Sequence, residues 1–281
     1  MTAQLEAFFA RDEQTLVPGE FARGPWGDTI GGHIIGGLMA WAIEAIERSG
    51  GDPEFQPARL TLDLFRPAAM RAVQVEVSVR REGRRIKLID ADLLQDGVSV
   101  SRASALLLRR GSRPPGEVWT PSLAMPPVPN DSATLGEGLP FVLWAFGSDW
   151  ECGTRAAQSE WEQAGHQKFA WIRQVRPVVE GEALTPFVRA ALAADVTSAL
   201  THWGTAGLRY INADFTLTLS RLPDGDYVGL AFDGHHDADG VATGAATVFD
   251  RHGPIGNSIA VAIAAPSASR TPQLEGRRGG D

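Results

Sequence analysis

The two halves of the chain repeat one sequence pattern, in which an almost wholly apolar helical stretch precedes a run of strands. The first strand of each run ends in an arginine and a proline, as TLDLFRP from Thr61 to Pro67 and as TLTLSRLP from Thr216 to Pro223. The two segments lie about 155 residues apart, which is too far for the repeats of a solenoid and indicates two copies of one domain. Two copies share one interface, where we expect a binding or catalytic site.

Length and composition agree with two globular units. The 281 residues, 43% of them hydrophobic, suffice for two domains of roughly 100 to 150 residues, each with its own core. The 34 acidic and 26 basic residues give a net charge of -8. This charge argues against a nucleic-acid surface, because such a surface needs clustered lysine and arginine.

The cysteine content and the N-terminus predict the compartment. A single cysteine, Cys152, excludes an internal disulfide and a cysteine-built metal site, and it favours a reducing environment. The N-terminus lacks the basic start and the apolar core of a signal peptide, and no stretch of about 18 apolar residues predicts a membrane span. We therefore expect a cytoplasmic protein that binds neither nucleic acid nor membranes.

The first half predicts one buried helix followed by strands. Residues 32–48 are apolar around nearly the whole helix circumference, so protein must surround most of this helix. Alternation over residues 73–80 predicts a half-buried strand, and further strands are expected at about 86–94 and 98–109. Glycine-containing turns between them predict antiparallel hairpins. A helix held in a curved antiparallel sheet is an α+β architecture.

The second half repeats this order after a proline-rich connection. A helix is expected at roughly 184–203, followed by strands at about 208–220, 226–234, 241–250 and 255–264. We therefore predict four segments, which are an N-terminal domain at 1–110, a linker at 111–140, a C-terminal domain at 141–266 and a disordered tail at 267–281.

Six segments, taken in order and spacing, carry a family resemblance. They are GGHIIGGLMAWAIEAI, TLDLFRPA and SRASALLLRR in the first half, and AALAADVTSAL, ADFTLTLSRLP and GPIGNSIAVAI in the second. Together they resemble the TesB-like acyl-CoA thioesterases over roughly residues 15–265. The resemblance implies a double hotdog, with two tandem copies of a long buried helix wrapped by a curved antiparallel sheet. It also implies hydrolysis of acyl-CoA to free acid and CoA, in fatty acid metabolism, with no metal or organic cofactor.

The resemblance also implies a water-holding site. In that family an Asp on the second helix, a Thr or Ser on the following strand and a Gln on the last strand hold the attacking water. By motif position, the Asp is Asp195 and the hydroxyl is Thr216. The Gln is missing, because residues 259–261 are Ile, Ala and Val, and the nearest polar side chains are Asn257 and Ser258. Either Asn257 takes over from a shifted position, or the water is held otherwise, or the activity is lost.

The residue types fit the chemistry of thioester hydrolysis. A carboxylate in a dry pocket deprotonates water, and a hydroxyl fixes the position of that water. The developing oxyanion needs donors, which the free N–H groups at the start of a buried helix supply. The start of the first helix, at Gly31, Gly32 and His33, is the predicted oxyanion and substrate-binding site, because glycines let a carbonyl approach the backbone.

Two other functions remain open. Asp28 precedes His33 by five residues, the spacing of the related hotdog enoyl-CoA hydratases, although Ile30 and Gly31 replace their usual Asn and Pro. The missing Gln instead favours a non-catalytic protein that binds acyl-CoA.

A metal site is not predicted. His235 and His236 stand among three aspartates, at 233, 237 and 239, but in a turn flanked by glycines. Hotdog sheets of this family pair edge to edge, so we expect the two copies to form a pseudo-dimer, and a homodimer of chains is also compatible with the sequence.

Overall fold

The computed structural model describes residues 5–48, 51–130, 140–150, 153–154 and 160–266. The predicted tail at 267–281 and positions 131–139 of the predicted linker lie outside the described residues. Residues 111–130 of that linker form neither helix nor strand. They are held in part by the indole N–H of Trp171, which donates to the Pro126 carbonyl over 2.9 Å.

The N-terminal half contains a hairpin, a long helix and four strands. These elements are β1 (Phe9–Asp12), β2 (Thr15–Pro18), α1 (Gly32–Arg48), β3 (Phe55–Leu64), β4 (Gln74–Glu82), β5 (Ile86–Gln95) and β6 (Val98–Arg109). The helix α1 spans the predicted residues 32–48, and Ile34, Leu38 and Met39 are fully buried along it. Asp96 and Gly97 both have positive φ, at 51° and 75°, so the β5–β6 hairpin has the primed turn that this dipeptide predicts.

The C-terminal half repeats this order with a broken helix. Its elements are β7 (Phe141–Phe146), β8 (Phe169–Gln174), α2 (Pro186–Ala194), α3 (Val196–His202), β9 (Trp203–Gly204), β10 (Gly207–Leu208), β11 (Tyr210–Asn212), β12 (Asp214–Leu219), β13 (Tyr227–Ala238), β14 (Val241–Asp250) and β15 (Gly253–Ala264). The sequence predicts one helix over 184–203, and the structure divides it at Asp195. Thr185 caps α2, because its hydroxyl accepts from the Val188 N–H.

Both halves contribute to one antiparallel sheet. Within the described residues, ten strands follow the order β4-β5-β6-β3-β12-β15-β14-β13-β8-β7, and an eleventh, β11, pairs with β15. The halves meet where β3 pairs with β12, and Thr61 there lies opposite Thr216. The repeated segments TLDLFRP and TLTLSRLP are therefore the two central strands, related by a pseudo-two-fold axis.

The helices α1 and α2 pack side by side on one face of this sheet. Small residues of α1 permit the approach, since a Cβ at Gly37 would lie 2.5 Å from the side chain of Leu192. A Cβ at Gly36 would likewise lie 2.8 Å from the ring of Phe215, which points from β12 toward the helices. The long helix α1 and the broken helix α2–α3, held by one curved antiparallel sheet, make the double hotdog that the sequence predicts. No helix in the described ranges is long and apolar enough to span a membrane.

Candidate active site at the junction of α2 and α3

Asp195 occupies the break between α2 and α3. Its backbone remains helical, with φ −63° and ψ −27°, but the chain tightens after it, because the Ser198 N–H bonds the Asp195 carbonyl over 3.1 Å. On the other side of the break, the buried Ser258 hydroxyl of β15 donates to the Ala194 carbonyl over 3.1 Å. The carboxylate is therefore carried on a segment that is fixed from the sheet.

The Asp195 carboxylate lies against the start of α1. Its Oδ1 accepts from the Asn212 amide Nδ2 over 2.7 Å, and the carboxylate also accepts from the backbone N–H of His33. A Cβ at Gly32 would lie only 3.0 Å from Oδ1 and 3.2 Å from Oδ2. Gly32 is thus the residue that lets an anion approach the positive end of α1.

Burial governs the acidity of Asp195. Desolvation raises its pKa to about 6, although the hydrogen bonds from Asn212 and from the His33 N–H oppose this rise. The residues Asp195, Gly32, His33 and Asn212, taken whole, are nevertheless only partly buried. A carboxylate with this pKa is suited to accept a proton near neutral pH.

The His33 ring is buried and uncharged. It fits beside Gly31, where a Cβ would lie 2.9 Å from the ring Cε1, and it meets the ring of Phe141 edge-on with centroids 5.3 Å apart. Burial lowers the pKa of His33 to about 4. Its Nε2 is buried without a hydrogen-bond partner among the described residues.

The predicted oxyanion donors have different partners. The Gly31 N–H bonds the Ala22 carbonyl over 2.9 Å, and the His33 N–H bonds Asp195. The N–H of Gly32 has no partner in the part of the chain that the structure describes. The oxyanion role of the three residues stays a prediction, with Gly32 as the free donor.

The structure does not bring Thr216 together with Asp195. Side chains alternate along β12, and the Phe215 ring points toward the helices. Thr216 consequently points to the opposite face of the sheet, where its hydroxyl oxygen lies 3.1 Å from that of Thr61.

Asn257 likewise lies on the outer face. It is exposed, its N–H donates to the Thr218 hydroxyl over 3.3 Å, and its Nδ2 contacts the Thr247 hydroxyl at 3.5 Å. Its neighbour Ser258 is the inward-facing polar residue of this strand. The catalytic roles of Thr216 and Asn257 stay predictions that this geometry does not support.

Asn212 is the site residue that the sequence analysis missed. Thr216 of β12 lies opposite Ile259 of β15, whereas Asn212 of β11 lies opposite Ala262, so one extra residue, Ala213, stands between the two strands. This is a β-bulge, and it reverses the side-chain alternation. Asn212 therefore points inward, on the same side as the buried Ala262.

Asp214 stabilises the bulge. Its Oδ1 accepts from the Val261 N–H over 2.7 Å, and the Ala213 N–H bonds the Val261 carbonyl over 2.8 Å. The Ala213 carbonyl also accepts from the Leu64 N–H of β3 over 2.8 Å. The only sequence signal is the Asn-Ala-Asp run before the strand, which breaks the alternation of apolar and polar residues.

Asp28 and His33 do not form a pair. Asp28 is exposed and bonds the guanidinium of Arg23, whereas the His33 ring is buried beside Gly31. The histidines at 235 and 236 lie on β13. Among the described residues, no group of three or more His, Cys, Asp or Glu side chains is arranged to hold a metal ion.

The pseudo-two-fold axis relates this site to a second position that lacks the carboxylate and amide side chains. With an offset of 155 residues, Asp195 corresponds to Ala40 and Asn212 to Pro57. Beside the second position, the Thr185 hydroxyl at the start of α2 bonds the carboxylate of Glu44. The carboxylate–amide pair therefore exists at one of the two related positions.

Family models match both halves of the chain. The model described as the acyl-CoA thioesterase N-terminal domain matches residues 22–108, and the model described as the acyl-CoA thioesterase C-terminal domain matches residues 122–264. No curated protein sequence matches significantly.

Solved structures share the fold at low sequence identity. A tesB protein of Mycobacterium avium subsp. paratuberculosis has a TM-score of 0.64 and 16% identity, covering 92% of this chain and 96% of that one. The acyl-CoA thioesterase II TesB2 of Mycobacterium marinum has a TM-score of 0.59 and 15% identity, with coverage of 84% and 91%. A hot dog fold protein of unknown function from Alicyclobacillus acidocaldarius has a TM-score of 0.64 and 16% identity, with coverage of 92% and 96%.

Proposed function

Because the chain belongs to the acyl-CoA thioesterase family, we propose that it hydrolyses an acyl-CoA thioester to free acid and CoA, with Asp195 as the general base. The observation that supports this assignment is the contact of a buried carboxylate, of pKa about 6, with the start of α1 and with the Asn212 amide. Cytoplasmic location, a role in fatty acid metabolism and a homodimer remain proposals of the sequence analysis.

The proposed reaction uses three groups. Asp195 takes a proton from water, and the resulting hydroxide attacks the thioester carbonyl carbon. Asn212 holds Asp195 through one amide hydrogen and has a second amide hydrogen and a carbonyl oxygen with which to orient the water. The oxyanion accepts from the Gly32 N–H, and collapse expels the CoA thiolate, which takes the proton back from Asp195. The products are the acid and the thiol, and the base is regenerated.

The test is free-thiol release from a panel of acyl-CoAs, from acetyl to palmitoyl and benzoyl, with the wild type and Asp195→Asn. Loss of a general base lowers the rate by about 10² to 10⁴, so the variant should retain under about 1% of the activity. Asp63→Asn is the matched control, because Asp63 is exposed on the central strand β3 and the substitution is the same. Equal loss in both variants, or full activity of Asp195→Asn, would exclude the assignment.

The alternative is acyl-CoA binding without turnover. The feature that favours it is the residue set, since no glutamine joins Asp195 and Asn212 among the contacts of the described residues. Tight binding of a nonhydrolysable acyl-CoA analogue, with no thiol release from any substrate of the panel, would support this alternative.

A further inference from the structure

A pair of histidines lies close to Asp195 and has no part in the proposed reaction. His202 ends α3 and is only 4% exposed, and its Nδ1 lies 2.9 Å from Nδ1 of His235 on β13. The ring of Tyr210, from β11, packs against both, with centroids 5.6 Å from that of His202 and 5.8 Å from that of His235. Gly244 of β14 makes room for the end of α3, because a Cβ there would overlap the Thr201 side chain and lie 3.0 Å from the His202 Cε1.

The hydrogen bonds fix the proton positions. The carboxylate of Asp237 only accepts, and its Oδ1 lies 3.2 Å from Nε2 of His235, so that Nε2 carries the hydrogen. In a neutral His235 the Nδ1 is then an acceptor, and His202 donates to it from Nδ1. The Tyr210 hydroxyl donates to Oδ2 of the same carboxylate over 3.2 Å. A directed chain therefore runs from buried His202 through His235 to Asp237.

The His202–Tyr210 ring contact and the Asp195–Asn212 hydrogen bond lie at neighbouring positions between the α3 segment and β11. Asp195 and His202 are seven residues apart, which is about two turns or 10 Å, so they lie on one helix face. Asn212 and Tyr210 are two residues apart in β11 and share a face of that strand. The α3 segment thus meets β11 twice, at Asp195–Asn212 and at His202–Tyr210.

We propose that the His202–His235 hydrogen bond positions Asp195, because it ties the C-terminal end of α3 to β13, whose Asp237 accepts from Tyr210 of β11, and so keeps the carboxylate within reach of the Asn212 amide. The inference that this serves catalysis rests on the proposed function, but the positioning itself does not. Several titratable groups surround the Asp195–Asn212 and His202–His235 contacts. They are His33 of α1, Lys168 beside β8, Tyr210 of β11, and His235 and Asp237 of β13.

Burial keeps His202 in the form that this hydrogen bond needs. Desolvation, with His235 as a second contribution, lowers the pKa of His202 to about 4. His202 is therefore neutral at physiological pH and donates from Nδ1 without adding a charge near Asp195. Nitrogen-15 chemical shifts should identify His202 as the Nδ1–H tautomer and His235 as the Nε2–H tautomer.

Two substitutions of His202 test the hydrogen bond to His235 separately from the loss of the imidazole ring. In His202→Asn the amide nitrogen can replace Nδ1 and donate to His235, whereas in His202→Gln the amide reaches the Nε2 position and the link is lost. The readout is the pKa of Asp195 in the free protein, from carboxyl carbon-13 NMR titration. We expect His202→Gln to raise this pKa by about 0.5 to 1, because the lowering effect of Asn212 weakens, and His202→Asn to change it by less than about 0.2.

Coupling to Asn212 provides the decisive control. In an Asn212→Ala background, His202→Gln should have no further effect on the Asp195 pKa, since the contact that it disturbs is already absent. Should His202→Gln fail to fold, Asp237→Ala removes the acceptor of the His235 Nε2–H at an exposed side chain and should raise the Asp195 pKa in the same direction. The proposal is wrong if these variants leave the Asp195 pKa unchanged, if Asn and Gln at 202 act alike, or if the shift persists without Asn212.

The titration needs no turnover, so it distinguishes this inference from the proposed function. An intact coupling in a protein that releases no thiol would contradict only the thioesterase assignment. Thiol release by a protein without the coupling would contradict only the role of His202.

Discussion

The hydroxyl oxygens of Thr61 and Thr216 lie 3.1 Å apart on the outer face of the sheet, although the two residues are 155 positions apart in the chain. Each is the first residue of its copy of the repeated segment, so the pair lies on the pseudo-two-fold axis. The strands β3 and β12 that carry it are the junction through which the two halves share one sheet.

This contact should contribute to stability and not to hydrolysis. Thr61→Val and Thr216→Val should each lower the free energy of unfolding by about 1 kcal/mol, and the double variant should lose about the same amount, because one hydrogen bond is removed in all three. Urea denaturation checks this result. The thiol-release rate of Thr216→Val should change less than twofold, and a large loss would restore the catalytic role that the sequence predicts for Thr216.

Gly32→Ala should abolish most of the activity. The new Cβ would lie 3.0 Å from Oδ1 of Asp195, so the carboxylate would have to shift away from the start of α1. We expect kcat/KM to fall at least tenfold, because a small misplacement of a reacting group has large effects on rate. Gly204→Ala is the control, since a Cβ there meets nothing within 4 Å. Equal activity of Gly32→Ala and wild type would show that hydrolysis does not require the Asp195 carboxylate at the start of α1.

The acidic limb of the pH–rate profile should report Asp195. With a pKa of about 6, the base is lost as the pH falls through 6, and kcat/KM should drop about tenfold per pH unit below that value. Asn212→Ala removes a hydrogen bond that lowers this pKa, so the limb should move to higher pH, and the maximal rate should fall by about tenfold. If the acidic limb of Asn212→Ala lies at the same pH as that of the wild type, a group other than Asp195 controls it.

His33 should make the protein less stable in acid. Its pKa is about 4 in the folded state and about 6.5 when unfolded, so the unfolded chain binds the proton first, and stability falls as the pH decreases from 6.5 to 4. His33→Phe should reduce the loss of unfolding free energy between pH 6.5 and 4.5 by about 2 kcal/mol. Asp195 acts in the opposite direction, because its raised pKa favours the folded state as the pH falls from 6 to 3.8. Urea denaturation at the two pH values measures the difference, and identical losses in variant and wild type would contradict the burial of a neutral His33.

The sequence predicts the fold well because its signals are local and repeated. The apolar circumference of residues 32–48 and the paired TLDLFRP and TLTLSRLP segments predict the buried helix and the duplicated sheet. The break at Asp195 could not be predicted, since the Ser258 hydroxyl that bonds the Ala194 carbonyl beside it comes from a strand more than 60 residues later. The periodicity of apolar residues within a helix cannot indicate a contact with a distant strand.

The candidate site could be predicted only for the residue that a motif marks. Asp195 stands out as a carboxylate in an apolar helix, whereas counting residues in twos assigns Asn212 to the same strand face as Thr216. Ala213 reverses that count, and the hydrogen bond from Val261 to Asp214 that supports the bulge joins strands distant in sequence. A period-two rule cannot register one extra residue in a strand.

The position related to the candidate site by the pseudo-two-fold axis has no carboxylate–amide pair, and this asymmetry is possible only because the two domains are fused in one chain. Identical single-copy subunits that pair about a true two-fold axis must carry every residue at both related positions, useful or not. The two halves of a fused chain can carry different residues at the related positions. One half has the Asp195 and Asn212 pair, and the other half has Ala40 and Pro57 at the corresponding positions. Joining the copies therefore permits a single carboxylate–amide pair per chain, which is what the described residues contain.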